Sequence, residues 1–429
     1  MDVIVFGLML LSLTIWLVLL CFWGQFWQTD QQLEVTETQL QSLPVVCAVV
    51  PARNEAQLLP TTLRSLLLQD YPGSLNVFLV DDRSTDRTAN FAEGVAHAVG
   101  KPQQLHIISG VSLPSGWSGK LWAIEQGINS ASLFAPDYFF LTDADIEHDP
   151  GNLRRLVAKA VQEDLDMVSV MVRLRCESFW EKLLIPAFVF FFQKLYPFRW
   201  VNNPNNPTAA AAGGSILITR EALERIGGIQ VIRQALIDDC ALADAVKKSG
   251  GQGDKGIRGQ GDKENNHAPC PMPYAPCPMP YAPCPMPNQG RIWLGLSTLT
   301  RSLRPYDSLA TIWDMVARTA YTQLNYSPLL LLGTLVGMPL IYLVPPVCVI
   351  LGAVWGNWAI AFTGLLGWLL MTFAYYPTIR FYKCSLWFAF SLPAIAFLYT
   401  LMTLDSALRH WQGRGGAWKG RVYPNPDNL

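Results

Sequence analysis

Charge is scarce in this chain. Of its 429 residues, 15% are Asp, Glu, Lys or Arg, where soluble domains carry about 25%. Net charge is −1, so no global basic field recommends nucleic acid as a partner. None of the nine cysteines makes a C-x-x-C pair, and three fall in a repeat. That argues against a zinc module or disulfide framework and for reduced cytoplasmic thiols. The first apolar run also lacks a basic stretch before it, Met1-Asp2 standing there instead, and no small-residue cleavage site follows. It reads as an uncleaved anchor rather than a signal peptide.

Apolar residues are abundant at 51%, with 15 Trp and 20 Phe. Residues 3–23 hold no charge, long enough for a hydrocarbon core of ~30 Å. Further runs at 327–355, 357–377 and 385–404 predict a C-terminal membrane domain. Arg380 and Lys383 place the loop 378–384 in the cytoplasm by the positive-inside rule, while the uncharged loop 355–358 suits the far side. Region 44–326 then faces the cytoplasm. Three C-terminal spans would carry the basic tail (Arg409, Arg414, Lys419, Arg421) across the membrane. A cytoplasmic tail requires that the 29-residue run with Pro339, Pro345 and Pro346 be a re-entrant hairpin, or that another run lie in the interface.

Between the apolar ends, β-rich and helical patterns alternate. Strands are predicted at 45–52, 76–82, 105–109 and 137–143, and helices at 55–69, 85–98 and 119–132. This succession predicts an α/β fold, a mostly parallel sheet with helices on both faces. Ligands bind such sheets beyond the carboxyl ends of the strands. Arg53-Asn54-Glu55, Asp81-Asp82, and Asp143 with Asp145 all fall at those ends. Residues 183–200 fit either a buried helix or an amphipathic segment on the bilayer face.

Residues 251–289 break the pattern with APCPMPY, APCPMPY and APCPMPN at a period of seven. Nine prolines in 21 residues exclude a packed helix or central strand, and the segment reads as a disordered insertion. Its Gly251-x-Gly253-x-x-Gly256 has neither the preceding strand nor the following helix of a dinucleotide fingerprint.

The stretch LTDADIEHD (141–149) fails as a calcium loop, because positions six and twelve from Asp143 hold His148 and Arg154 rather than Gly and Glu. As a D-x-D at a strand end, Asp143 and Asp145 would point to one side and face one ligand. Mg²⁺ or Mn²⁺ is commonly held by one or two carboxylates plus substrate phosphates. Glu147 and Asp149 are expected in the turn and helix cap before Pro150. Lys120 in GWSGK is not in a P-loop, since Pro114 and Leu121 replace the required residues. At a helix start it still offers a point charge to a diphosphate. Asp238-Asp239 opens an amphipathic helix, as a cap or as a general base.

In order, VVPARNE, LVDDRSTD, GWSGKLWA, LTDAD, AAGGSILITREALERIGG and LIDDCALADAVKKSGG resemble the family 2 glycosyltransferases with a GT-A fold. The apolar C-terminal runs and the ending RHWQGRGGAWKGRVY look most like the hopene-associated membrane branch, linked to hopanoid biosynthesis. The resemblance spans about 45–250 and 290–423. It implies an anchor (1–26), a GT-A domain (44–326) interrupted at 251–289, a membrane domain (327–405) and a basic tail (406–429).

The same resemblance implies that Pro51, Arg53, Asn54, Glu55, Asp81, Asp82, Lys120 and Asp143 bind the donor, a nucleotide sugar, usually a UDP-sugar. Asp145, with Asp143, would hold Mn²⁺ or Mg²⁺. Ala212, Gly213 and Gly214 would floor the acceptor side, and Asp239 would be the base with Asp238 its neighbour. The Q-x-x-R-W motif of processive relatives is absent, so Arg301, Arg304 or Arg318 would supply the diphosphate's positive charge instead. The expected activity is inverting transfer to a lipid acceptor at the cytoplasmic leaflet of the inner membrane. Rival readings are a polyprenyl-phosphate sugar or polysaccharide synthase and, outside enzymes, a transporter or scaffold. The C-terminal runs lack the buried ionisable residues a transporter needs.

Overall fold

The computed structural model describes residues 2–33, 43–250, 290–414, 417–418 and 421–422. The insertion at 251–289 and part of the tail lie outside them. Helix α1 (Asp2–Phe22) is followed by β1 (Val46–Ala52), α2 (Leu59–Leu67), β2 (Leu75–Asp81), α3 (Thr88–Ala98), β3 (Leu105–Ser109), α4 (Gly119–Ala131) and β4 (Tyr138–Leu141). Then come β5 (Ile146–Glu147), α5 (Asn152–Gln162), β6 (Met167–Arg173), α6 (Phe179–Leu195), α7 (Phe198–Val201), β7 (Ile216–Thr219) and α8 (Arg220–Arg225). The domain finishes with α9 (Asp238–Ser249), β8 (Ile292–Ser302), α10 (Leu309–Ala317) and α11 (Ala320–Gln323).

The eight strands form one sheet in the order β3-β2-β1-β4-β7-β6-β8-β5. All seven residues of β1 are buried, as expected for a parallel strand covered on both faces. The predicted parallel half is there: β3, β2, β1 and β4 run side by side in parallel. The other half is mixed, with β7 antiparallel to both β4 and β6, β8 parallel to β6, and β5 antiparallel to β8. Strands β5, β6 and β7 had no sequence expectation. Helix α4 lies close on the sheet: a Cβ at Gly127 would stand 2.4 Å from Val49 Cγ1.

The segment 183–200 falls mostly in α6, which packs between the α/β domain and the apolar helices. Leu184, Ala187 and Phe190 share a buried cluster with Trp16, Phe26, Tyr375 and Tyr399. A capping box starts α6, in which Ser178 Oγ accepts from Glu181 N at 3.2 Å. Glu181 is fully buried and accepts from the backbone N–H groups of Glu177, Ser178 and Tyr306, each at 2.8 Å, and from Arg175. Its removal orphans the three backbone N–H groups, while Arg175 keeps Glu177 and Asp307. Glu181→Ala is therefore expected to cost roughly 2–4 kcal/mol, read as a lowered Tm in detergent, with Glu181→Gln milder. An unchanged Tm would remove Glu181 as a tie.

Among the described residues, four helical segments are long and apolar enough to cross a membrane: Ile4–Phe22, Pro328–Val354, Trp358–Phe381 and Leu386–Trp411. The second comprises α12 (Pro328–Met338), a π turn (Pro339–Leu343) and α13 (Val344–Val354). It is continuous, not the hairpin its prolines allowed. Pro345 has no N–H for the carbonyl four residues back. That carbonyl, of Ile341, instead accepts from Trp16 Nε1 of α1 at 2.9 Å.

The last segment follows α14 (Trp358–Phe381) and runs through α15 (Leu392–Trp411), one uninterrupted helix. Its start touches the α/β domain, where Arg173 donates to Tyr382 O at 2.9 Å and Cys384 Sγ lies 3.6 Å from Cys176 Sγ. Its end also does, through Arg409 to Asp314 at 2.7 Å and Trp313 Nε1 to Asp405 at 2.7 Å. Both ends of the segment thus meet the α/β domain, and Arg409 and Arg414 lie on its side.

Candidate active site

The strand-end residues surround a cavity of about 620 Å³. Its lining includes Pro51 at the end of β1, Glu55 after it, Lys120 in the first turn of α4, Asp143 and Asp145 after β4, and Asp238 at the start of α9. Strand β4 stops at Leu141, so Asp143 and Asp145 sit in the turn before β5 and not in extended chain. They still face the same cavity.

Lys120 is its electrostatic centre, with Nζ 3.0 Å from Asp143 Oδ1 and 3.0 Å from Asp238 Oδ2. Burial acts to lower its pKa, but Asp143, Asp238 and Asp239 outweigh that and hold it raised. Asp143 is itself raised, by burial and by the charges of Asp145 and Asp238, against the pull of Lys120. Opposite, the Arg304 guanidinium spans two carboxylates, Nη2 to Glu55 at 2.7 Å and Nε to Asp145 at 2.6 Å.

Asp239 lines a smaller adjoining cavity with Gly213. It accepts from Gly213 N at 2.9 Å and Cys240 N at 2.8 Å. Burial and then Asp238 push its carboxyl up to about 6. A Cβ at Gly213 would meet Lys120 Nζ at 3.4 Å and Asp239 Oδ2 at 3.5 Å, ordinary contact distances that place Gly213 directly against both side chains. Ala212 is buried and donates to Ser169 Oγ at 2.8 Å, while Gly214 packs against Val172 and Ile146.

Other residues singled out from sequence stand aside from the larger cavity. Arg53 donates to Asp82 O at 2.7 Å, and Asn54, in the left-handed region at φ 52°, accepts from Thr85 N at 2.8 Å. Asp81 accepts from Ser84 N at 3.0 Å, and Asp82 is 1% exposed. This network ties the loop after β1 to the loop after β2. Arg301 pairs with Glu147 at 2.6 Å on the outer edge, which places Glu147 in β5 and not in a turn. Asp149 accepts from Gly151 N at 3.0 Å as the turn expectation required. Arg318 is the exception in this group and lines the larger cavity.

The family model for glycosyl transferase family 2 matches residues 47–227. These residues form a family 2 glycosyltransferase domain. Its sequence is 30% identical over 151 residues to an undecaprenyl-phosphate 4-deoxy-4-formamido-L-arabinose transferase of Enterobacter sp. (strain 638), covering 34% of this chain and 42% of that protein. It is 32% identical over 124 residues to an uncharacterized protein of Methanocaldococcus jannaschii, covering 28% and 44%. The chain thus spans less than half the length of these curated relatives. Among solved structures, a mannosyltransferase from Pyrobaculum calidifontis, in complex with GDP-Man and Mn²⁺, matches over 96% of both chains. The TM-score is 0.50 at 16% identity. The glycosyltransferase domain has the GT-A fold, with a mixed sheet.

Sequence reasoning missed six polar groups of the larger cavity: Ser118, Tyr306, Thr311, Asp314, Arg409 and Arg414. Ser118 caps α4, accepting from Leu121 N at 3.3 Å, and the S-x-x pattern before the helix signalled it. Both arginines read from sequence only as tail charge.

Proposed function

We propose that this protein is a membrane-anchored inverting glycosyltransferase that moves a sugar from a nucleotide sugar, a UDP-sugar in the first instance, to a lipid acceptor. One observation carries the reading. The cavity that gathers Lys120, Asp143, Asp145 and Asp238 is also walled by Thr311, Asp314 and Met315 of α10, whose Ile312 and Val316 pack among the apolar helices. A donor site and a bilayer-associated wall thus share one space. The name of the Enterobacter relative, a transferase for undecaprenyl phosphate, supports a lipid-linked acceptor. The motif resemblance supports a role in hopanoid-related metabolism. In this reading residues 1–26 anchor the chain, 44–326 hold the catalytic domain at the cytoplasmic face of the inner membrane, 327–405 dock it, and 406–429 form a tail.

In the mechanism, Asp239 accepts the acceptor hydroxyl's proton as that oxygen attacks the anomeric carbon, in a single displacement. Lys120 and Arg304 stabilise negative charge on the departing diphosphate. Arg53, Asn54 and Asp82 shape the nucleotide side through their hydrogen-bonded loops. Among the described residues no group of three His, Cys, Asp or Glu is arranged to hold a metal ion. Asp143 and Asp145 each have one carboxylate oxygen turned to a cation and another left over. That set fits a divalent metal arriving with a diphosphate, not a preformed cage. Bound there, Mn²⁺ or Mg²⁺ would offset leaving-group charge.

The test uses membranes containing the full chain, a panel of radiolabelled nucleotide sugars and extracted lipids, with and without Mn²⁺ or Mg²⁺. Metal-stimulated transfer to the lipid phase is expected. Failure of every donor, together with no metal-dependent nucleotide binding, would sink the proposal.

A further inference from the structure

The charges lining the cavity are unevenly distributed. At the strand-end side, two cations, Lys120 and Arg304, face four carboxylates, Asp143, Asp238, Glu55 and Asp145, and pair with all of them. That side is left net negative, suited to a divalent cation with a nucleoside diphosphate. On the wall built by α10 and the end of α15 the balance reverses. Arg409 is matched by Asp314 and Asp405. Arg318 and Arg414 line the same cavity, and neither has a carboxylate partner among the described residues. Two guanidiniums lining one space offer charge and planar donor sets to a phosphate monoester, which carries a charge of about −1.5 to −2 near pH 7.

We infer that Arg318 and Arg414 form a second anion subsite, which holds a phosphate group of the lipid acceptor. The inference rests on the function proposed above and deepens it. The donor's diphosphate belongs with the carboxylates and their metal at the other side, so a second, metal-free anion is what the arginines can take. The arginines also stand where a lipid headgroup would arrive. Arg318 directly follows α10, and Arg414 follows α15, whose Tyr399 and Met402 pack in the apolar-helix cluster. The subsite recognises the acceptor, and proton removal stays with Asp239.

Equilibrium binding of radiolabelled dodecyl phosphate to the full chain in detergent tests this, with dodecanol, inorganic phosphate and UDP with Mn²⁺ as comparison ligands. Dodecyl phosphate is expected to bind at least tenfold more tightly than dodecanol or inorganic phosphate. The Arg318→Gln/Arg414→Gln double variant should lose at least tenfold of that affinity, with UDP affinity changed less than twofold and Tm unaltered. Arg318→Lys/Arg414→Lys, which keeps the charge without the planar donor sets, should recover part of the loss.

Equal loss of UDP affinity would assign both arginines to the donor diphosphate and overturn the subsite. So would dodecanol binding as well as dodecyl phosphate, or inorganic phosphate binding as tightly as the lipid. The two proposals fail separately. Phosphate-selective lipid binding without transfer from any donor would leave the subsite and remove the glycosyltransferase activity. Transfer with no phosphate selectivity would do the reverse.

Discussion

Asp239→Asn is expected to lower kcat by about 10³-fold, within the range general-base catalysis supplies, while the Kd for UDP stays within about twofold. The asparagine keeps the size of the side chain, and its oxygen still accepts from Gly213 N or Cys240 N, so the floor of the site is preserved. What it loses is the capacity to take a proton. The pH profile gives an independent readout. Asp239 is held up to about 6 by burial and by Asp238, and it acts as a base only when ionised. Wild-type kcat/KM should therefore be level above pH 6 and fall roughly tenfold per pH unit below it. Residual activity in the variant should not follow that limb. Wild-type turnover by Asp239→Asn would show that the nucleophile needs no base, as an already ionised phosphate would not.

The second large effect is at Lys120. Lys120→Met should reduce kcat/KM by about 10²- to 10³-fold, comparable to the loss of an oxyanion-hole donor, and should weaken nucleotide binding as well. Lys120 Nζ bridges Asp143 and Asp238 at 3.0 Å each and pulls the Asp239 pKa down against burial. Without it, three carboxylates face one another with no cation between them. Ionisation of Asp239 becomes harder, and the acid limb of the pH profile should move above 6. A surface lysine would move neither quantity. Unchanged activity with an unshifted limb would place Lys120 outside the mechanism.

Local signals in this sequence were read correctly where a single strand or helix decides the outcome. The buried run of β1, the helix opened by Asp238, and Asp143 with Asp145 after β4 all depend on neighbours within a few residues. The second half of the sheet was not legible in that way. β7 inserts between β4 and β6, and its antiparallel direction is set by pairing with strands some fifty to eighty residues earlier in the chain. Arg304 illustrates the same limit. From sequence it was one of three arginines that could face a diphosphate. Only the fold brings it to Glu55 and Asp145 while Arg301, three residues before, turns to Glu147.

The sequence by itself determined the two kinds of segment this chain contains, because a helical run with no charge and an alternation of strands and helices each follow from local composition and period. It also singled out the acidic residues that the fold gathers around the cavity, because family motifs are short and contiguous. The tertiary structure decided which charges meet. It set both ends of the last apolar run against the α/β domain, so that Arg409 and Arg414 line the same cavity as Asp143 and Asp145. The physical reason is distance along the chain: pairing and packing between residues more than two hundred positions apart leave no trace in any local pattern.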